Sequence, residues 1–329
     1  MMPRIVALFA LAATTACGAS VPIDDGGGSE GSESGSESAT TDPVPTDCFW
    51  NGQTIADGQT YATPDGCVTY ECDAGAMIVI DDSLETVAGD LVLDNQPEVA
   101  AHTCLGVVEG SLTISGTAAD LSALDQLTRV GGSLTIEAAA VTSLNGLQTL
   151  AEIDAGLVIR DNASLTQLAF QPYMSLFGDV TIENNDVLTS LAGAEFIGAC
   201  VSCFDDGEAT TDSGDPGGDE GGEVGSATAG EDEPSPGGTF YGNILIAEND
   251  ALVDISAISN LVYAWQSVRL RGNAVLNTIA ALRLQQVQGD LEIANQPALD
   301  TVSVESFAST VAVAGTTTIC GNLGGVACP

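Results

Sequence analysis

The pattern Gly-x-Leu-x-Ile, followed by Asn and then by leucines three apart, recurs about every 23 residues along most of this chain. In order the copies begin at Gly89, Gly110, Gly132, Ala155, Gly178, Gly242, Gln266 and Gly289. A period in this range marks a solenoid, in which each unit buries its apolar face only against its neighbours. Alternation within the pentapeptide points Leu and Ile inward and the residue between them outward. The spaced residues, such as Leu252, Ile255, Ile258 and Leu261, require a chain that turns every three residues, which excludes a long continuous helix. At least eight strand-bearing rungs are therefore expected. Asn95, Asn162, Asn185, Asn249, Asn273 and Asn295 are expected to line a coil corner, where a side-chain amide satisfies backbone groups that no strand ladder reaches. That placement makes the glycosylation triplet Asn162-Ala-Ser164 a coincidence.

The remaining segments divide the chain. Residues 1–17 carry a basic start, an apolar run from Ile5 to Ala13 and small residues ending on Ala16-Cys17-Gly18, which is a secretory signal too short to span a membrane. Its end resembles a bacterial lipoprotein signal, with Thr14 where Leu is usual, so Cys17 is the expected site of lipid attachment. Residues 18–46 are Gly, Ser, Glu, Asp, Thr and Pro with almost nothing apolar, a composition that cannot offset its ordering entropy and reads as a disordered tether. Residues 47–83 form a small module in which Asn-Gly and Asp-Gly pairs separate short alternating stretches, the signature of disulfide-stapled hairpins. The solenoid occupies 84–329, and between its fifth and sixth copies an acidic Gly/Ser/Pro insert at about 199–239 leaves the coil as a loop.

Nine cysteines are present, and setting Cys17 aside leaves Cys48, Cys67, Cys72, Cys104, Cys200, Cys203, Cys320 and Cys328. An even set in an exported protein implies up to four disulfides, whose connectivity spacing does not determine. Cys320 with Cys328 is the nearest pair; Cys200 and Cys203 clip either to each other or to a neighbouring rung. A thioredoxin-like role for Cys200-Val-Ser-Cys203 lacks the required βαβ setting.

The repeat units resemble bacterial leucine-rich-repeat proteins and, more specifically, the receptor L domains of growth-factor receptors. The 47–83 module resembles a von Willebrand factor type C-like module, with Tyr70 where one cysteine of that pattern would stand. The first resemblance implies an all-β fold, a single-stranded right-handed β-solenoid preceded by the small disulfide-bearing module. It implies recognition as the role, without specifying a ligand.

Chemistry is sparse. The chain has 46 acidic residues against six basic ones, giving a net charge of −40, which argues against nucleic acid or anionic lipid headgroups as partners. The single histidine, His102, beside Cys104, is assigned a structural role. There is no nucleophile motif, phosphate-binding glycine loop or His-x-x-x-His zinc pair, so no cofactor or metal is expected. The insert's carboxylates match no calcium-loop pattern and read as a solvated, self-repelling run. Carbohydrate-cutting solenoids use paired carboxylates, and Asp179, Glu183, Asp290 and Glu292 are the candidates for that alternative. Thr113, Thr135 and Thr181 hold equivalent outward positions, as in ice-binding arrays, but Val158, Leu245, Arg269 and Glu292 interrupt them. Arg160, Arg269 and Arg271 place three of the six arginines on the outward strand face, as a binding patch for an anionic partner or as counter-charges to neighbouring carboxylates. The resulting expectation is a non-catalytic recognition or adhesion lipoprotein at the cell surface or outer membrane, binding an extracellular protein or glycan. The alternatives are a carbohydrate-active enzyme and a purely structural envelope component.

Overall fold

The computed structural model describes residues 47–50, 52–198 and 238–329; Cys17, Cys200, Cys203, the 18–46 tether and the insert from 199 to 237 lie outside the described residues. The chain forms a mostly β solenoid of about nine turns. Its main sheet holds nine parallel strands, Leu91–Leu93, Leu112–Ser115, Leu134–Glu137, Leu157–Arg160, Val180–Glu183, Ile244–Ala247, Val268–Arg271, Leu291–Ala294 and Thr317–Cys320. The last is a ninth copy, Gly315-Thr-Thr-Thr-Ile319. Equivalent residues pair without slippage: Leu134 lies beside Leu112 and Leu157, and Ile136 beside Ile114 and Ile159. A second side carries shorter parallel strands, five from Glu85–Val87 to Ser175–Leu176 and four from Thr239–Phe240 to Ala312–Val313.

The inward positions of the pentapeptide are almost fully buried in the seven inner strands, for example Leu112, Ile114, Leu157, Ile159, Ile244 and Ile246, whereas Leu91, Thr317 and Ile319 at the two ends are not. The leucines three apart close the opposite side. Leu124 N–H donates to Leu121 O and Leu127 N–H to Leu124 O; Leu144, Leu147 and Leu150 repeat the pattern, as do Ile255, Ile258 and Leu261. Each turn thus closes an i to i+3 bond and returns an apolar side chain to the core every third residue. The leading glycine of the repeat answers to close approach between rungs. A Cβ at Gly178 would stand 2.0 Å from Ala155 O, and one at Gly242 would stand 2.0 Å from Gly178 O.

The corner after each main strand is built from two adjacent columns. Two residues beyond the inward Ile, the backbone adopts positive φ in eight successive rungs, at Gly116, Ala138, Asp161, Asn184, Glu248, Gly272, Asn295 and Gly321. One residue further sits the buried amide column of Asn162, Asn185, Asn249, Asn273, Gln296 and Asn322. Asn249 shows the unit: its Nδ2 donates to Ile182 O and Ala247 O at 2.9 Å, and its Oδ1 accepts from Asn185 N–H at 3.0 Å. Asn273 repeats this one rung on, accepting from Asn249 N–H through Oδ1 and donating to Ile246 O.

Two asparagines expected in this column are elsewhere. Asn295 takes the positive-φ position and is exposed, and Gln296 fills the slot. Asn95 caps the short helix Gln96–Ala101: its Oδ1 accepts from Glu98 N–H at 3.0 Å, while Glu98 Oε2 accepts from Asp94 N–H. This reciprocal capping ends the turn pattern at the first rung. A second helix, Thr301–Ala308, capped by Asp300, occupies the corresponding side near the other end. Asn162 is fully buried with its amide committed to Ile136 O and Asn185 Oδ1, so it is no glycosylation acceptor.

Ahead of the solenoid, Cys48–Trp50 pairs antiparallel with Gln53–Ile55, and Val68–Asp73 lies between Thr60–Ala62 and Ala76–Asp82. Cys48 bonds Cys72 within this module, and Cys67 bonds Cys104 of the solenoid, a tie supplemented by Gln126 Nε2 donating to Asp65 Oδ2 at 2.7 Å. Tyr70 packs on Trp50 with ring centroids 5.3 Å apart. At the other end Cys320 bonds Cys328. No helix among the described residues is long and apolar enough to cross a membrane.

Asn249→Ala leaves Asn185 N–H and two carbonyls without their buried partner, and is expected to lower unfolding stability by about 3 kcal/mol. Urea unfolding measures it, and an unchanged midpoint would contradict the role given to the column. Gln296 Nε2 is buried without a partner, so Gln296→Asn should raise stability by about 1 kcal/mol in the same assay.

Candidate functional site

The outward side of the main sheet is one continuous surface, because each strand presents its second residue there and several, such as Glu137, Arg160, Glu183 and Arg271, also their fourth, while Ala247, Ala294 and Cys320 at that position are buried. Along the second position run Val92, Thr113, Thr135, Val158, Thr181, Leu245, Arg269, Glu292 and Thr318. Thr113 and Thr135 are neighbours, and Val158 separates them from Thr181. Along the fourth position, Arg160 stands between Glu137 and Glu183, and Arg271 is two strands from Glu183 across Ala247. Arg160 Nε donates to Glu137 Oε2 at 2.9 Å. Arg271 reaches Glu183 at 3.8 Å, and Arg269 reaches Asp290 at 3.5 Å and Glu292 at 3.7 Å. All three arginines of the candidate patch therefore face carboxylates. These pairs are solvent-exposed, so water and salt screen them and they add little to stability.

The four candidate carboxylates divide by position. Glu183 and Glu292 belong to the outward face, each beside an arginine. Asp179 and Asp290 precede their strands and belong to a second side-chain ladder that the sequence reading missed. In this ladder the residue after the leading glycine position accepts the N–H of its counterpart one rung on. Asp90 Oδ1 accepts from Ser111 N–H, Ser111 Oγ from Ser133 N–H, and Ser133 Oγ from Gly156 N–H. Gly156 has no side chain and ends the first run. Asp179 Oδ1 then accepts from Asn243 N–H at 2.7 Å, Asn243 Oδ1 from Ser267 N–H, Ser267 Oγ from Asp290 N–H and Asp290 Oδ1 from Thr316 N–H. Asp, Ser and Asn at one column are interchangeable oxygen acceptors, and that shared chemistry, rather than identity, was the available signal.

The electrostatics of Asp290 follow from this role. The Thr316 N–H, then the Thr316 hydroxyl, hold its carboxyl below the ordinary range, with Arg269 adding to the effect. A general acid needs the opposite shift. His102 Nδ1 lies 2.8 Å from Glu85 Oε2 at the end of the first helix, joining that helix to the second side of the coil. Among the described residues, no group of three His, Cys, Asp or Glu side chains is placed to hold a metal ion.

A feature absent from the sequence-derived candidates lies on the corner leading into the main sheet. Counting three residues back from the first inward residue of successive strands gives Asp154, Phe177, Tyr241, Trp265 and Gln288. Phe177, Tyr241 and Trp265 are 64%, 63% and 48% exposed. The Tyr241 and Trp265 rings are parallel to within 14° at 6.2 Å, and Tyr263 meets Trp265 edge-on at 5.4 Å. Alignment of the copies on their inward Leu would have displayed this row; the 64-residue step from Gly178 to Gly242 hid it.

Residues 104–194 match the family model described as Receptor L domain. The matched stretch spans the second to fifth rungs and stops before the insert, while the same register continues on both sides of it. Comparison with curated proteins gives no match.

The Asp290 contacts set a pH dependence. Because its carboxyl is depressed in the folded state, its contribution is present above the ordinary carboxylate range and is lost as pH falls from about 4 through the folded value. Asp290→Asn, which retains an acceptor oxygen without the charge, should be less stable than the native chain at pH 6, and the gap should narrow as pH falls below about 4. Denaturant midpoints measured from pH 6 down to pH 2.5 test this, and a gap that does not narrow on acidification would contradict it.

Proposed function

We propose that this protein is a non-catalytic recognition or adhesion protein, exported and held at a bacterial outer membrane or cell surface by lipid on Cys17. The observation that carries the recognition role is the Receptor L domain match on a solenoid whose register extends beyond the matched residues. The chemistry of the surface supports it. Asp179 and Asp290 cap backbone N–H groups at the coil corner, and Glu183 and Glu292 stand beside arginines, so each has a structural partner. The inward positions, the amide column and the second ladder are scaffold, which leaves the variable outward residues to discriminate a partner.

The export and anchoring part rests on the sequence of residues 1–17 and on the 18–46 segment, whose composition suits a tether that presents the 47–329 portion away from a surface. The 47–83 portion we read as a von Willebrand factor type C-like module that closes one end of the coil through Cys67–Cys104.

Two measurements address this reading. Cys17→Ser should move the protein from the membrane fraction to the soluble exported fraction, and retention of the variant in membranes would refute the anchor. A screen of the protein against extracellular glycans and purified envelope proteins should give saturable binding without any change to the ligand. Appearance of depolymerised glycan would refute the non-catalytic role.

A further inference from the structure

We propose that the row formed by Phe177, Tyr241 and Trp265 is a binding platform for an uncharged polysaccharide lying along the solenoid axis. The proposal rests on the recognition role above and names the ligand class of one surface. One exposed aromatic side chain is unremarkable, but three on successive rungs, at the roughly 4.8 Å spacing of adjacent strands, form a continuous apolar strip. Their burial is not needed to complete the core, since neighbouring Phe240 and Ala264 point inward and are buried. The Tyr241 and Trp265 rings are offset-stacked at 6.2 Å and both remain exposed, so ring surface is left open.

The surroundings decide the kind of occupant. The column flanking the rings carries Asn243 and Ser267 beside Tyr241 and Trp265, and Asp179 beside Phe177, and the row continues into Gln288, whose Nε2 donates to the Tyr263 hydroxyl at 2.6 Å. The carboxylates nearest in register are engaged: Asp154 with Arg129, Asp179 with Asn243, and Asp290 with Thr316 and Arg269. Asp154 and Asp290 face arginines and Asp179 is held by hydrogen bonds from Asn243, so the site offers an anionic ligand no free cation, and a chain of net charge −40 repels uronates and sulfated glycans at long range. Pyranose rings fit both features, with C–H faces for the aromatic strip and hydroxyls for the amides and alcohols beside it. A linear polymer also matches a row that repeats by translation.

The test is affinity electrophoresis of the full chain through gels containing hydroxyethyl cellulose, galactomannan or alginate, with poly-L-lysine as a separate titrant. At least one neutral polymer should retard the protein and alginate should not. Trp265→Ala and Tyr241→Ala should each weaken retention by about tenfold, the loss expected for a central aromatic anchor. Trp265→Phe should keep most of the binding, and thermal unfolding should be nearly unchanged in all three. The chain has two tryptophans, so in a Trp50→Phe background the emission of Trp265 reports ligand directly and should shift on saturation. The proposal is overturned if no neutral polymer binds, or if retention survives Trp265→Ala. Poly-L-lysine binding that depends on Trp265 would overturn it in favour of a basic polypeptide. If neutral polymers fail while a purified envelope protein binds saturably, the polysaccharide is wrong and the recognition role stands. Release of new reducing ends would defeat the recognition role itself.

Discussion

The buried amide column is the interaction on which the rest of the coil depends. A solenoid must turn a corner between its sides, and at that corner the backbone loses the strand ladder that satisfies it elsewhere. Asn162, Asn185, Asn249 and Asn273 solve this by placing one carboxamide per rung where its oxygen takes an N–H and its nitrogen gives to carbonyls of neighbouring turns. Leaving such groups unpaired in a dry interior costs about 1–3 kcal/mol each. The column therefore fixes the path of the corner, the corner aligns the strands, and strand alignment stacks Leu over Leu and Ile over Ile.

The positive-φ position beside the column is subordinate to it. It is occupied by glycine in three rungs and by Ala138, Asp161, Asn184, Glu248 and Asn295 in the others. Side chains that rarely accept this conformation do so here because the amide bonds on one side and the strand on the other hold the backbone in place. A local preference is overridden by a periodic tertiary constraint.

The legibility of the chain follows the same division. Strands and inward residues were readable because their period is carried by residue identity, Leu and Ile recurring at fixed intervals. The column was readable as far as it was Asn. It failed at Asn295, one residue out of place, where Gln296 supplies the accepting oxygen but not the donated bonds, and at Asn95, where Glu98 three residues later recruits the side chain into a helix cap. The second ladder was invisible because Asp, Ser and Asn share only an acceptor oxygen. Asp179 and Asp290 consequently looked like free outward carboxylates when they are corner braces. The aromatic row escaped because Phe, Tyr and Trp are different letters, and the long insert broke the count between the first and second of them.

Both ladders pass from the fifth rung to the sixth as if residues 186–242 were an ordinary turn: Asn185 meets Asn249 and Asp179 meets Asn243. Neighbouring rungs are thus chemically interchangeable at their contacts. A chain with interchangeable contacts has a counting problem, since a stack displaced by one whole turn would recover nearly all the same bonds. What distinguishes the native stack must be the parts that do not repeat. The helix caps near each end, the missing side chain at Gly156 and the Cys67–Cys104 bond are such parts, fiducial marks that tell otherwise identical turns which number they are.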